Sequence, residues 1–282
     1  NYTDFIDTTT PNFYVEASIA NDPLMLHELN EGNGDIHSLV ASLMFEELNN
    51  VPLKDIKRNY KNLRQLAKGY EFLIAYGGDY NTMMANFGLT MEDAKAKYDR
   101  YMKGLTGVQK YQSFCRKDWF DKGYILLNPL TKHRAHIYDY EQLKEDKEWM
   151  STLDWDYYRE MKRDCPDCEI VQRVRRFFKR KSASEKQSIN YRIQNSGAMC
   201  SKIALINFFN WVCTNNLFNK VKITIIPYDE INCETPEEIA EETAQKLYDC
   251  MVNAGKIFCT RCKLDADISR LPNRELPVYW IH

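Results

Sequence analysis

This sequence of 282 residues predicts an α+β protein in which both ends of the chain build one antiparallel sheet around a long helical middle. Three observations carry the prediction. Apolar and β-branched runs crowd at the ends, with YTDFI near the start and VKITIIPYDEINCE and KIFCTRCKLDADI near the finish. Between them apolar residues recur at three- and four-residue spacing in PLMLHELN, HSLVASLMF and AKAKYDRYM, the period of amphipathic helices. No internal repeat or low-complexity linker divides the chain. The helical middle therefore reads as an excursion from a shared sheet.

Taken in order, residues 1–7 and 13–20 are short apolar segments around a Thr/Pro/Asn break and make a strand-rich beginning. Residues 23–101 follow a helical pattern, and GYILLNPL (123–130) reads as a strand or turn. Residues 138–181 are charge-rich and aromatic, ending in RVRRFFKRK, six basic residues in nine. That run reads either as a phosphate-binding footprint or as a solvated helical face. SEKQSINYRIQNSGAMCSKIALINFFNWVC is a strong helix. VKITIIPYDEINCE is a hairpin by composition, with Pro227 in its turn. PEEIAEETAQKLYDCMVNAG is an amphipathic helix whose acidic first turn complements the helix dipole, and KIFCTRCKLDADI is a last strand.

Composition narrows the function classes. Hydrophobic residues at 44% and charged ones at 28% describe an ordinary globular chain, of one large domain or two subdomains. A net charge of −2 supplies no global basic field, so any basic surface is local. No apolar run approaches the ~18 residues of a membrane span, and there is no signal peptide, so no membrane partner is expected. The nine cysteines, many in apolar patterns like Cys213 and Cys250, point to reduced thiols and a cytoplasmic location. Two pairs, Cys165/Cys168 and Cys259/Cys262, have metal-like spacing but lie about 90 residues apart. An ordinary zinc ribbon has roughly 15–20, which favours plain thiols and leaves zinc as the alternative. The chain begins NYTDF without an initiator Met and reads as an excerpt of something longer.

Two features carry chemistry. In RQLAKGYEFLIAYGG (64–78), Arg64, Lys68, Phe72 and Tyr76 fall four apart and lead into Gly77. On a helix they line one slowly drifting stripe, too polar for a core and too aromatic for a solvated face. Arg64 as a planar fork and Lys68 as a point charge suit a polyphosphate, and the two rings offer a flat wall to a base and sugar. A nucleoside triphosphate has that shape. The second feature is Asp229-Glu230 at the hairpin turn, with Asp7 ending the first strand. An Asp-Glu turn alone is most often a solvated turn. If the chain ends share a sheet, however, Asp7 and Asp229 meet across it and suit two Mg²⁺ ions.

Arg-x-x-x-Lys-x-x-x-Phe-x-x-x-Tyr-Gly resembles motif B of the family A DNA polymerases, the bacterial DNA polymerase I group. Asp229-Glu230 in IPYDEINCE resembles that family's motif C, GDIHSLVASLMF (34–45) its Asp-Ile-His segment, and NYRIQNSGAMCSK (190–202) the segment approaching primer–template. The four run in order over nearly the whole chain. The resemblance implies a DNA-templated DNA polymerase core acting on primer–template DNA and dNTPs with two Mg²⁺. It implies a palm from residues 1–22 and 195–282, and fingers from 23–194 with an insertion near 138–181. The family's thumb and exonuclease would precede this segment in the same polypeptide. Asp7 and Asp229 would bind the metals with Glu230 nearby. Arg64, Lys68 and His37 would meet the triphosphate, Phe72 the sugar and base, and Tyr76 the template base. Asn190, Gln194, Lys202 and Arg134 would meet DNA.

The chain also departs from the family pattern. Tyr228 replaces the usual His of motif C. Motif A keeps only its Asp, and Asp4 rivals Asp7 for the metal role. Gapless alignment places Asn12 where the family has the Glu that excludes a ribose 2′-OH, with Glu16 as the alternative if the segment bulges. A single-subunit phage-type RNA polymerase and a catalytically inactive nucleic-acid-binding relative are the other readings. The divergence with retained chemistry leans towards a phage enzyme.

Overall fold

The computed structural model describes residues 2–8 and 11–269. The chain opens with β1 (Tyr2–Thr8) and then α1 (Pro11–Ala20), where a proline at the first helical position has no N–H to leave unsatisfied. The strand-rich expectation for 13–20 is corrected here, because that run is helical. Phe13, Val15, Glu16, Ala17 and Ser18 are all buried, and a short run buried on every side shows no period that separates helix from strand.

The helical stretch follows the sequence pattern closely. α2 (Pro23–Asn30) is capped by Asp22 and α3 (Ile36–Met44) by Asp35. Then come α4 (Leu53–Asn59), α5 (Lys61–Ala75), α6 (Tyr80–Phe87), α7 (Met91–Gly104) and α8 (Thr106–Asp118). GYILLNPL contributes β2 (Tyr124–Leu126), paired antiparallel with β3 (Arg134–His136), a strand in what read as a turn-rich stretch. The charge-rich segment folds as α9 (Tyr140–Ser151) and α10 (Trp155–Asp164). α11 (Glu169–Thr214) runs 46 residues and absorbs RVRRFFKRK as well as the helix expected after it.

The C-terminal part holds β4 (Lys222–Ile225), β5 (Glu230–Thr235), α12 (Ala240–Phe258) and β6 (Ala266–Ser269). The last strand is shorter than KIFCTRCKLDADI suggests. Phe258 lies on the same buried stripe as Leu247, Met251 and Ala254, so the KIF segment completes α12. Cys259 caps that helix through its N–H to the Gly255 carbonyl at 2.8 Å, and Cys259 and Cys262 belong to the following bend.

The four-stranded antiparallel sheet has the order β4-β5-β1-β6. The N-terminal strand is thus sandwiched between C-terminal ones, and both ends of the chain do build one sheet. The chain divides into two compact units. One comprises residues 1–68, 99–109 and 193–282 and carries this sheet. Its core joins Ala204, Phe208 and Val212 of α11, Ile231 and Cys233 of β5, and Leu247, Cys250 and Met251 of α12. The other comprises residues 69–98 and 110–192, with Trp119, Ile125, Ile137, Leu143 and Phe177 at its centre. Arg192 is buried in that second unit, donating to Asp118 and the Leu126 carbonyl. Among the described residues no helix is long and apolar enough to cross a membrane.

Candidate active site

The register of the sheet sets the backbone of Asp7 beside that of the Asp229-Glu230 turn. Asp7 of β1 is the Cα partner of Glu230 on β5, so it lies one residue from Asp229. On its other side Asp7 is in backbone register with Asp267 of β6, a position that sequence reading did not single out because the last strand's register was not legible. Asp4, the rival to Asp7, pairs with Cys233, three positions along the ladder. The turn before β5 is closed by the Glu230 N–H donating to the Pro227 carbonyl at 3.1 Å. Within it Tyr228 has φ +55° and is 94% exposed, a left-handed conformation costly for a bulky side chain. Burial first, and then the neighbouring Glu230 charge, push the Asp229 carboxyl above its ordinary value. The partly desolvated Asp229 carboxyl beside the Glu230 charge offers oxygen donors of the kind a hard cation such as Mg²⁺ takes.

In the same unit, Arg64 and Lys68 of α5 stand beside His37 of α3. The α5 core stripe is Ala67, Tyr70, Glu71, Ile74 and Ala75, which leaves Arg64 and Lys68 half-buried on its flank. Arg64 Nη2 donates to Asp35 Oδ1 at 2.7 Å, and its Nε reaches both Asp35 oxygens and Ser38 Oγ at 3.2 Å. Asp35 also accepts the Ser38 N–H as the cap of α3. One carboxylate therefore both starts a helix and aims a guanidinium. Sequence reading quoted Asp35 and Ser38 within GDIHSL without a role, although Asp-x-x-Ser ahead of an apolar run is a capping signal. His37 is pushed down to about 4, by burial first and then by the charges of Arg64 and Lys68. The Asp35 charge acts the other way and does not prevail. The imidazole, held down by burial and then by the neighbouring positive charges, is neutral at physiological pH. Its ring meets Phe13 edge-on at 5.2 Å.

Asn12, on α1, is half-buried beside Gly197 of α11. A Cβ on Gly197 would stand 3.2 Å from Asn12 Oδ1. Glu16 lies one turn further on the same helix and is 1% exposed. Gln194 and Lys202 of α11 are exposed.

The second unit carries the remaining expected residues. Phe72 and Tyr76 form a tilted ring pair with centroids 6.0 Å apart. Gly77 ends α5 with φ +82°, and a Cβ there would meet Ile189 Cδ1 at 3.0 Å and Lys186 Cα at 3.1 Å, so the glycine of Tyr-Gly is required twice. Arg134 lies over the Tyr124 ring at 4.5 Å. Asn190 is half-buried, with Oδ1 lacking a hydrogen-bond partner among the described residues. RVRRFFKRK is largely neutralised within its unit. Arg173 pairs with Asp146, Arg176 with Glu169, Arg180 with Asp139 and Lys181 with Glu185.

The chain belongs to DNA polymerase family A, whose family model matches residues 7–271. Among curated relatives it is 26% identical over 242 residues to a DNA polymerase I of Streptococcus pneumoniae, covering 85% of this chain and 22% of that protein. A DNA polymerase I of Aquifex aeolicus is 23% identical over 90% of this chain and 36% of its own length. The DNA polymerase of Mycobacterium phage D29 is 29% identical over 45% of this chain and 19% of its own. The POL domain of Pol1 from M. smegmatis, solved with DNA primer-template and dNTP, matches the fold with a TM-score of 0.69 at 21% identity. That match covers 94% of this chain and 38% of the solved one. The chain thus spans about a fifth to about a third of the length of the bacterial relatives named here.

Proposed function

We propose that this chain is the palm and fingers portion of a template-directed DNA polymerase, in which a primer 3′-OH attacks the α-phosphate of a dNTP and pyrophosphate leaves. The observation that carries the reading is the register of Asp7 with Glu230, one residue from Asp229, in a sheet built by both chain ends. On this reading the palm is residues 1–22 and 195–282 and the fingers 23–194, although by contacts 23–68 and 99–109 group with the sheet. Asp7 and Asp229, with Glu230 beside them, would hold two Mg²⁺. Bound there, the ions would supply charge neutralisation at the reacting phosphate and a more acidic attacking hydroxyl.

The protein's own residues do the positioning. Arg64, aimed by Asp35 and Ser38, presents a fork to phosphate oxygens, and Lys68 adds a point charge one turn on. Neutral His37 donates a hydrogen bond without adding charge. Phe72 and Tyr76, on the following turns of the same helix, offer their faces to sugar and base. Gln194, Lys202, Arg134 and Asn190 are assigned to primer–template DNA. Holding these groups ready before the reaction is the larger part of catalysis for such a transfer. Asn12 at the sugar-excluding position is shorter than Glu, uncharged, and able both to donate and to accept, so discrimination against rNTPs is relaxed.

Primer extension tests the reading, using a polypeptide that includes this chain and supplying dNTPs or rNTPs. Template-dependent extension with dNTPs, lost in Asp229→Ala with the fold retained, supports it. Extension by rNTPs alone would shift the assignment to an RNA polymerase. DNA binding without extension by either would make the chain an inactive relative.

A further inference from the structure

We infer that Cys165 and Cys168 form a thiol-modification site, a surface dithiol that small disulfides oxidise to an intramolecular disulfide across the joint between α10 and α11. Cys-Pro-Asp-Cys is the whole connection between those helices. Cys165 is the C-cap of α10, its N–H donating to the Met161 carbonyl at 2.8 Å. The Cys168 carbonyl accepts the Gln172 N–H at 3.0 Å and starts α11. The turn itself is closed by the Cys168 N–H donating to the Cys165 carbonyl at 3.1 Å. Such a turn holds its outer Cα atoms within about 7 Å, and a disulfide needs about 4.4–6.8 Å. Cross-linking them therefore breaks neither helix and moves little backbone.

Accessibility separates this pair from its counterpart. Cys165 is exposed and Cys168 half-buried. Cys259 and Cys262, with the same spacing, are 3% and 6% exposed. The Cys262 thiol also donates to the Tyr14 carbonyl at 3.3 Å. Cys165 and Cys168 are both free cysteines in the structure. The carboxylates of Asp164, Asp167 and Glu169 flank the turn, partly offset by Arg163 and Arg176, so a cationic disulfide is favoured over an anionic one. Desolvation, and then the hydrogen bond and charge of Cys168, raise the Cys165 thiol above its ordinary value, so oxidation quickens as pH rises.

The chemistry balances. The Cys165 thiolate attacks one sulfur of cystamine, its S–S bond breaks, and one cysteamine leaves with a proton. The Cys168 thiolate then attacks Cys165 Sγ in the mixed disulfide and displaces the second cysteamine. The test treats the folded full chain with cystamine at mildly alkaline pH. Remaining thiols are alkylated after unfolding, and peptides are weighed. Expected are loss of two hydrogens from the peptide spanning 165–168, its reversal by dithiothreitol, and alkylation of both Cys259 and Cys262. Oxidised glutathione should react more slowly, and Cys165→Ser should leave Cys168 unable to close a disulfide. The inference is overturned if both thiols of 165–168 stay alkylatable, if stable mixed disulfides accumulate there, or if the 259–262 pair oxidises first.

Discussion

Two cationic helix stretches in this protein look alike in sequence and behave differently. Arg64 on α5 pairs with Asp35, and the charges of Arg64 and Lys68 add to the burial that holds His37 neutral. RVRRFFKRK on α11 is far richer in charge, yet four of its cations are matched by Asp146, Glu169, Asp139 and Glu185. A dense basic run is therefore a poor guide to an anionic ligand. What counts is whether the fold supplies its own counter-charges.

The largest effect expected comes from the carboxylates that the proposal sets opposite those cations. Asp229→Ala and Asp7→Ala should each lower primer extension on the order of a thousandfold or more, since metal-borne charge stabilisation amounts to several kcal/mol. Circular dichroism should show the fold retained. Asp4→Ala, three positions along the ladder, should stay active. A dead Asp4→Ala beside an active Asp7→Ala would shift the metal site along β1.

Next comes the direct comparison of the two stretches. Arg64→Ala and Lys68→Ala each remove a charge-assisted contact of ~1.5–3 kcal/mol, which lowers kcat/KM for dNTP by about ten- to a hundredfold. Arg175→Ala and Lys179→Ala should leave it within about twofold, since exposed surface substitutions are worth only ~0.5 kcal/mol or less. Equal losses from both pairs would erase the distinction drawn between the helices.

The converse readout is stability. Asp146 is 3% exposed and accepts from Arg173 at 2.7 Å and Gln142 at 3.1 Å. Asp146→Ala should destabilise the protein by about 1–3 kcal/mol in urea titration while leaving nucleotide kinetics unchanged. A nucleotide defect without a stability loss would give the basic run a ligand role after all.

A smaller effect is expected at the sugar. Asn12→Glu should raise discrimination between matched dNTP and rNTP by about tenfold, measured as the ratio of kcat/KM on one primer–template. No change there, with Glu16→Ala collapsing the ratio, would move the gate one turn along α1. The smallest effect concerns pH. His37 stays neutral in the fold down to about pH 4, whereas in the unfolded chain it takes a proton near 6.5. The unfolded state binds more protons in that window, so stability is full above it and declines as pH falls from about 6.5 to about 4. His37→Asn should flatten that part of the stability profile, and an unaltered slope would remove His37 from the positive field.

Local pattern made much of this protein legible. The helical middle, the hairpin before Asp229-Glu230 and the α5 stripe each follow from spacing within a dozen residues. The misreadings share one cause. Residues 13–20 and the KIF of α12 are apolar on several sides, so alternation and helical period look alike there. Burial against distant partners chose the helix. The pairing of the basic run was not legible for a related reason, since two of its counter-ions, Asp146 and Asp139, lie 27 and 41 residues away from their partners Arg173 and Arg180.

Taken alone, the sequence determined the mix of helix and strand, the residue types able to bind phosphate and metal, and the order of motifs along the chain. Only the tertiary structure decided that Asp7 lies in register with Glu230, that Asp35 aims Arg64, and which cations are cancelled. Helical spacing is enforced by hydrogen bonds four residues apart and is written locally. Strand register and ion pairing join residues tens to hundreds of positions apart, and packing around a common core selects those partners.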